Sequence, residues 1–437
     1  MVIFLNINSV YSIIQLMKKL LLILIFLINL ILPSFAIVDT EDKVKISLEE
    51  AMDLALNGNI ELQEQRKNLG ISQNDIKRAN ALKNPQVQSN LLVGRISKAN
   101  SSQVGVMLPV EIAKRSARKS AAESGLNYTE NKIKDYEFKL KQRVRTAYFN
   151  LILAKSQLKI MEDRKILLED LLEISKNHSK DSPNYEIELL QADMRLKKQL
   201  VQINKSKADV KTAQYTFNKV LNLENNMNLY DVKEESVFSE AFFTNLELPA
   251  YEDLIEYAFS HRYDIKMAQA RLDKTKKDIT IALRKRVPDL YISGGYAFAH
   301  DGTSGAFVGA GLDIPSLYTY TPEIQNAKLE YEKAQLGYNS ITNITKNIIS
   351  TNYDKFIMAQ ENVGYYNSMI DESKRILDLS KQRYQKGQTT ITNLIIIEHS
   401  HQDLLKEFLN SMGVYYNAYI SLLTELGMEN FSIDVDL

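Results

Sequence analysis

The residues best equipped for chemistry in this chain are few and poorly spaced for it. Among 437 residues there are five histidines and no cysteine. His399 and His401 stand two apart, which on a helix puts them on different faces, whereas a metal pair prefers a spacing of about four. His401 also falls in an apolar heptad series, where a packed or pore-facing imidazole is the simpler reading. No glycine-rich phosphate loop, nucleophile motif or zinc spacing occurs, and no acid/base pair has a reason to be close. The sequence therefore predicts no catalytic residue, cofactor or metal, and not an enzyme. Interest moves to the polar reversals between long helices, Lys176 to Pro183 and Gln385 to Thr390.

Basic and acidic side chains balance at 54 each. Without residues 1–36, which carry only Lys18 and Lys19, the balance is 52 − 54 = −2. A nucleic-acid binder would show a basic excess on some face, so that class is set aside. Met17-Lys18-Lys19, the apolar run Leu20 to Leu32 and Pro33-Ser34-Phe35-Ala36 have the three parts of a secretory signal peptide, with Met17 the expected true start. An exported chain without cysteine has no disulfides and is stabilised by packing or assembly.

The elements that must position any site come in two copies. Asp53 to Leu62 aligns without a gap on Glu256 to Ile265, an offset of 203 that also superposes Pro85 on Pro288. Thr146-Ala147-Tyr148 and Val220-Leu221-Asn222 match Thr351-Asn352-Tyr353 and Glu425-Leu426-Gly427 at 205. Residues 37–225 and 249–428 are thus read as two helix–hairpin–helix repeats, with a linker at 226–248 and a tail at 429–437.

Each repeat opens with a helix, over 47–84 and 250–287, the first capped by a Ser47/Glu50 capping box. Period-two segments follow, giving hairpins at about 86–110 and 289–315. Val87, Ser89, Leu91 and Val93 are assigned to one strand face, as are Val104, Val106, Leu108 and Val110. Leu290, Ile292, Tyr296 and Phe298, and then Ala306, Val308, Ala310, Leu312 and Ile314, form the matching faces of the second hairpin. Strands of about ten alternating residues are what an outer-membrane barrel uses. Then come very long helices, from Glu111 to about Lys176 and from Pro322 to Lys386. Their heptads (Ile349, Phe356, Val363, Ile370, Leu377, Tyr384; Leu189, Leu196, Ile203, Val210, Phe217; Leu394, His401, Phe408, Tyr415, Leu422) predict coiled-coil seams. The register Val144, Leu151, Leu158 breaks at Lys165 and resumes on Leu167 and Ile174, a stutter.

Two hairpins supply four strands, too few to close a barrel, and an open edge cannot sit in lipid. Three copies would supply twelve strands, within the range that encloses an open interior. The fold expected is mostly α with a β part: a coiled-coil α-barrel joined to a trimeric twelve-stranded outer-membrane β-barrel. A periplasmic coiled-coil scaffold without a pore is the alternative; it explains the heptads and leader but not the strands.

The chain resembles the outer-membrane efflux protein family, the TolC-type channels, over about 45–428. The residues that carry the resemblance are Ile46 to Leu56, Asn84-Pro85, the strand exits Leu108-Pro109 and Ile314-Pro315, the tip Arg383-Tyr384-Gln385-Lys386-Gly387 and Thr392 to Ile396. The resemblance implies a homotrimer in outer-membrane lipid with a large periplasmic extension. It would serve as exit duct of a tripartite efflux pump or type I secretion system, with a periplasmic adaptor (membrane fusion) protein and an inner-membrane pump of RND, ABC or MFS type. Drugs, metal ions and polypeptides all stay open as cargo, and the run Pro109 to Arg115 resembles the heavy-metal branch. By the same resemblance Tyr384 matches a gate tyrosine. Asn393 and Ile396 stand where members often carry paired aspartates, so an acidic ring is not implied and Ile396 becomes an apolar constriction. Glu188 and Gln191 are their first-repeat equivalents. Thr389 replaces a gating arginine. Gly387 and Lys386, with Ser182 and Pro183 in the first repeat, mark the adaptor docking tips.

Overall fold

A computed structural model describes residues 44–92, 101–177, 185–223, 229–233, 248–299 and 301–430. The leader, part of the first hairpin turn, His300, Ser182 and Pro183 of the first tip, most of the linker and all but the start of the tail lie outside the described residues. Apart from Val44 and Leu229, which fall in a second, smaller unit, the described residues belong to one compact unit.

The first repeat runs β1 (Val44–Ile46), α1 (Leu48–Gly58), α2 (Ile60–Ala79), β2 (Gln86–Asn90), β3 (Ser101–Val110), α3 (Lys114–Asn177) and α4 (Tyr185–Leu221). After β4 (Tyr230–Val232) the second repeats it as α5 (Tyr251–His261), α6 (Tyr263–Arg284), β5 (Asp289–Ala299), β6 (Ser304–Asp313), α7 (Thr321–Gln385) and α8 (Ile391–Leu426). The capping box forms: Ser47 N donates to Glu50 Oε2 at 2.7 Å and Glu50 N to Ser47 Oγ at 3.2 Å. The single opening helix expected in each repeat is instead two. Asn59 and Arg262 adopt extended backbone (ψ 119° and 126°) and break it. At the first break the Asn59 side chain supplies the cap of the next helix, accepting from Leu62 N at 3.0 Å.

β2–β3–β5–β6 form one antiparallel sheet. The register sets Val87 beside Val106, Val106 beside Gly294 and Gly294 beside Val308. A second row joins Leu108, Ile292 and Ala310. Within the strands, the faces assigned from period-two patterning therefore coincide on one side of the sheet; β2 is five residues long rather than about ten, so Leu91 falls past its end, as Ile314 does past β6, and Val93 lies outside the described residues. That side is exposed: Val87 at 79%, Val308 at 87% and Leu312 at 58%. The opposite side is built around glycine. Phe307 lies over Gly105 and Gly295, where a Cβ would come within 2.9 Å of its ring.

The helices pack in the order α4–α3–α8–α7, with α6 bridging α3 and α7 and α2 lying on α3. α3 and α7, of 64 and 65 residues, each span roughly 100 Å. The predicted seams face inward: Ile349, Phe356, Val363, Leu377 and Tyr384 on α7 are buried, as are Tyr415 and Leu422 on α8. At mid-height Phe149 of α3 stacks on Tyr416 of α8 with centroids 3.7 Å apart. A second cluster holds α1 and α4 against α3 around Leu62, Tyr148 and Phe217. Where helices meet sheet, Glu111 and Asp289 gather Lys83, Lys114 and Arg118 within 2.6–3.4 Å. Lys114 and Arg118, at the start of α3, are thus drawn into the junction.

Candidate functional site

The end of the long helices farthest from the sheet collects most of the residues singled out above. α7 stops at a left-handed Gly387 (φ 69°), whose N–H donates to Tyr384 O at 2.9 Å. α8 restarts at Thr390, whose hydroxyl accepts from Asn393 N at 3.4 Å. Beneath this reversal Tyr384 is 1% exposed, in a cluster with Leu168, Leu171, Ala192, Leu377, Ile391, Leu394 and Ile395. It is the last residue of its seam and is packed within its own chain.

Lys386 and Gly387 are exposed at the reversal itself. Asn393 and Ile396 share the exposed face of the first turns of α8, and the Asn393 side-chain amide donates to Thr389 Oγ1 at 3.4 Å. Ile396 is 56% exposed, an apolar side chain beside Asn393 on that face. Gln191 is exposed on α4, on the other side of α3 from α8. Glu188 lies in the first turn of α4, and the first-repeat tip residues Ser182 and Pro183 lie outside the described residues.

Just inside the tip cluster the seam is interrupted by a polar layer that motif reasoning missed. Glu398 of α8 is 0% exposed. Its Oε1 lies 2.9 Å from Arg164 Nε, and Arg164 Nη2 donates to Oε2 at 3.1 Å. One turn on, His401 Nδ1 lies 2.7 Å from Ser373 Oγ of α7. Burial lowers the His401 pKa; Glu398 and Asp378 oppose that, while Lys374 and Lys381 add to it. The signal was present in two places. Glu398 sits in the series Ile391, Leu405, Met412, where every other member is apolar, and the stutter at Lys165 adjoins Arg164. His399 faces away, with Nδ1 2.9 Å from Asp403, so the two histidines share no site.

Both flanks of the helical layer carry apolar stripes. On α4, Ile187 and Met194 are exposed at a seven-residue spacing, followed by Val201. On α7, Met358, Tyr365 and Leu379 are exposed in heptad register beside the buried seam. The sheet ends the same way, since β2 and β6 each have one neighbour among the described residues.

No protein-family model matches the chain. A curated relative, the toxin and drug export protein A of Aggregatibacter actinomycetemcomitans, is 22% identical over 221 residues, which cover 49% of this chain and 44% of that protein. Among solved structures, CusC superposes with a TM-score of 0.73 at 15% identity, covering 88% of this chain and 93% of that one. The CmeC outer-membrane channel of Campylobacter jejuni gives 0.72 at 16%, covering 87% and 85%. The open state of the MtrE outer-membrane channel of Neisseria gonorrhoeae gives 0.70 at 17%, covering 87% and 89%. The chain has the fold of the TolC-type outer-membrane efflux channels.

Proposed function

We propose that three copies of this chain close into a duct across the outer membrane, the exit of an efflux or type I secretion assembly. One observation carries the reading: a sheet with an exposed apolar face and two edges, β2 and β6, that have no further strand neighbour among the described residues. The edges are unlike, so β6 of one copy pairing with β2 of the next is a head-to-tail contact, and such contacts generate rings. Twelve strands from three copies satisfy every edge hydrogen bond in lipid. The apolar stripes on α7 and α4 lie on the same two flanks and would meet in the same contact. The export activity of the curated relative fits this reading.

In this duct the tip is the gate. Three Ile396 side chains form an apolar constriction that resists hydration, flanked by Asn393 and, from α4, Gln191 and Glu188. Tyr384 and its cluster hold the α7–α8 reversal as one packed piece that tilts outward when an adaptor engages Lys386 and Gly387 in one repeat and Ser182 and Pro183 in the other. An inner-membrane pump of RND, ABC or MFS type would deliver the cargo.

The test is extraction and conductance. Protein taken from outer membranes is expected to run as a trimer unheated and as a monomer after heating, and to conduct in planar bilayers. Ile396→Asp should raise open-channel conductance and make it sensitive to divalent cations. A water-soluble monomer needing no detergent overturns the reading.

A further inference from the structure

The two strand-to-helix connections differ in length. In the first repeat, residues 111–113 lead from β3 to α3; in the second, 314–320 lead from β6 to α7, four residues more. Both end in a left-handed residue immediately before the helix, Ala113 (φ 58°) and Tyr320 (φ 55°), so the added residues are an insertion ahead of a shared cap. The insertion does not bury itself. Leu317 is 100% exposed, Tyr318 53% and Ile314 62%.

Nor is it slack. Arg286 Nε donates to Thr319 O at 2.7 Å and Arg286 Nη2 to Thr321 Oγ1 at 3.1 Å. Tyr318 and Tyr320 meet edge to face at 5.2 Å. Lys285 Nζ stands 5.9 Å from the Tyr320 ring, and Tyr318 donates to Glu323 Oε2 at 2.9 Å. A fixed connection thus displays a bare leucine followed by two tyrosines, with Lys285 and Arg286 exposed beside it. It leaves the sheet at the helix end, and Ile314 continues the apolar face of Leu312 and Leu290.

We propose that residues 314–320 are a membrane-interface anchor in which Leu317, Tyr318 and Tyr320 enter the headgroup layer of the periplasmic leaflet, while Lys285 and Arg286 meet its anionic phosphates. The proposal rests on the outer-membrane reading above and names the lipid contact of its lower rim. Aromatic rings with a polar tip favour the boundary between acyl chains and headgroups, and basic side chains there are drawn to anionic lipid. The occupant follows from continuity with the lipid-facing sheet and from the charge of the flanking residues. The connection supplies a non-covalent hold in each copy.

The chain contains no tryptophan, so one substitution makes a clean reporter. Full-length Leu317→Trp and, on the mid-strand apolar face, Val308→Trp would be reconstituted in phosphatidylethanolamine/phosphatidylglycerol vesicles with acyl chains brominated near the headgroup or near the chain end. If the proposal holds, Val308→Trp is quenched by the deep label. Leu317→Trp then emits to the blue of water and loses roughly half its intensity to the shallow label. Water-like, unquenched emission from Leu317→Trp, with Val308→Trp still quenched, overturns the anchor and leaves the barrel standing. Blue emission without quenching places Leu317 in a contact between copies and also overturns it. Loss of quenching at Val308→Trp instead removes the barrel, and the anchor with it.

Discussion

Asn59 and Arg262 occupy the same place in the two repeats, the break between the first two short helices, and hold it by different means. Asn59 donates to Val220 O at 3.2 Å and to Leu221 O at 3.1 Å at the end of α4. Arg262 reaches the end of α8, donating to Glu425 O at 2.6 Å, and pairs with Asp264 and Glu425. Burial works against the Arg262 charge, but the two carboxylates more than offset it and raise its pKa. Neutral hydrogen bonds in one repeat and an ion triad in the other yield nearly the same backbone angles. The caps they meet are also paired: Asn222 (φ 46°) and Gly427 (φ 73°) are both left-handed. A duplicated fold thus keeps its backbone while its polar chemistry diverges, and the second copy holds the charged version.

That difference can be broken by measurement. Arg262→Ala strands two carboxylates in a half-buried site and should cost about 3–5 kcal/mol, the range for losing one partner of a buried pair. Asn59→Ala loses a cap and two hydrogen bonds to carbonyls and should cost about 1–3 kcal/mol. Urea unfolding of the detergent-solubilised protein reads both, and equal costs would show that the triad adds nothing beyond the hydrogen bonds.

A second contrast lies along one helix. Most of the α8 seam is apolar, and Glu398 with Arg164 interrupts it. Buried ion pairs are often replaceable by packed apolar side chains at neutral cost or a gain of about 1–4 kcal/mol. The double variant Glu398→Ile/Arg164→Leu restores the heptad and is expected to raise the unfolding midpoint, while channel opening slows because the tip cluster is fused to the mid-height core. A double variant less stable than the parent would show the pair to be a stabilising contact.

Two glycines on the same face of the sheet, Gly295 and Gly305, give a third. Gly295 lies where a Cβ would come 2.2 Å from Val104 O, whereas nothing stands within 4 Å of Gly305. Gly295→Ala should destabilise by about 1–3 kcal/mol through overpacking, read as a lower temperature at which the unheated band of the proposed trimer disappears. Gly305→Ala should leave that temperature nearly unchanged.

How much of this was legible in the sequence depends on the range of the interaction. The strand faces were legible because a period of two needs only neighbours, and the observed cross-strand rows join those very residues. The seams were legible because heptads repeat within one helix, and the Ser47–Glu50 box because its partners are three residues apart. The breaks at Asn59 and Arg262 were not, since each helix is interrupted by a side chain that binds residues over 160 positions away. At the tip, Tyr384 could be placed as a heptad residue, but the Glu398 partner could not, because Arg164 precedes it by 234 positions. The repeat offset changes by only two, from 203 to 205, so the four extra residues of the second strand-to-helix connection were not legible from it, and their exposure follows only from the fold.

The smallest effect expected is a pH dependence that separates the seam at His401 from its all-apolar stretches. His401 faces Glu398 on its own helix, which is in turn paired with Arg164 of α3, and Ser373, Lys374, Asp378 and Lys381 on α7. Its pKa is lowered from 6.5, with burial the leading cause. Below 6.5 the unfolded chain therefore binds more protons at this residue than the folded one, so stability rises with pH there. The neutral imidazole contributes its full share above 6.5, and that share is lost as pH falls from 6.5 through the lowered folded value. Unfolding midpoints of the parent should drop across this window relative to those of His401→Gln, which retains a polar partner for Ser373 but cannot titrate. Parallel profiles for the two proteins would show that the seam does not sense the proton at this position.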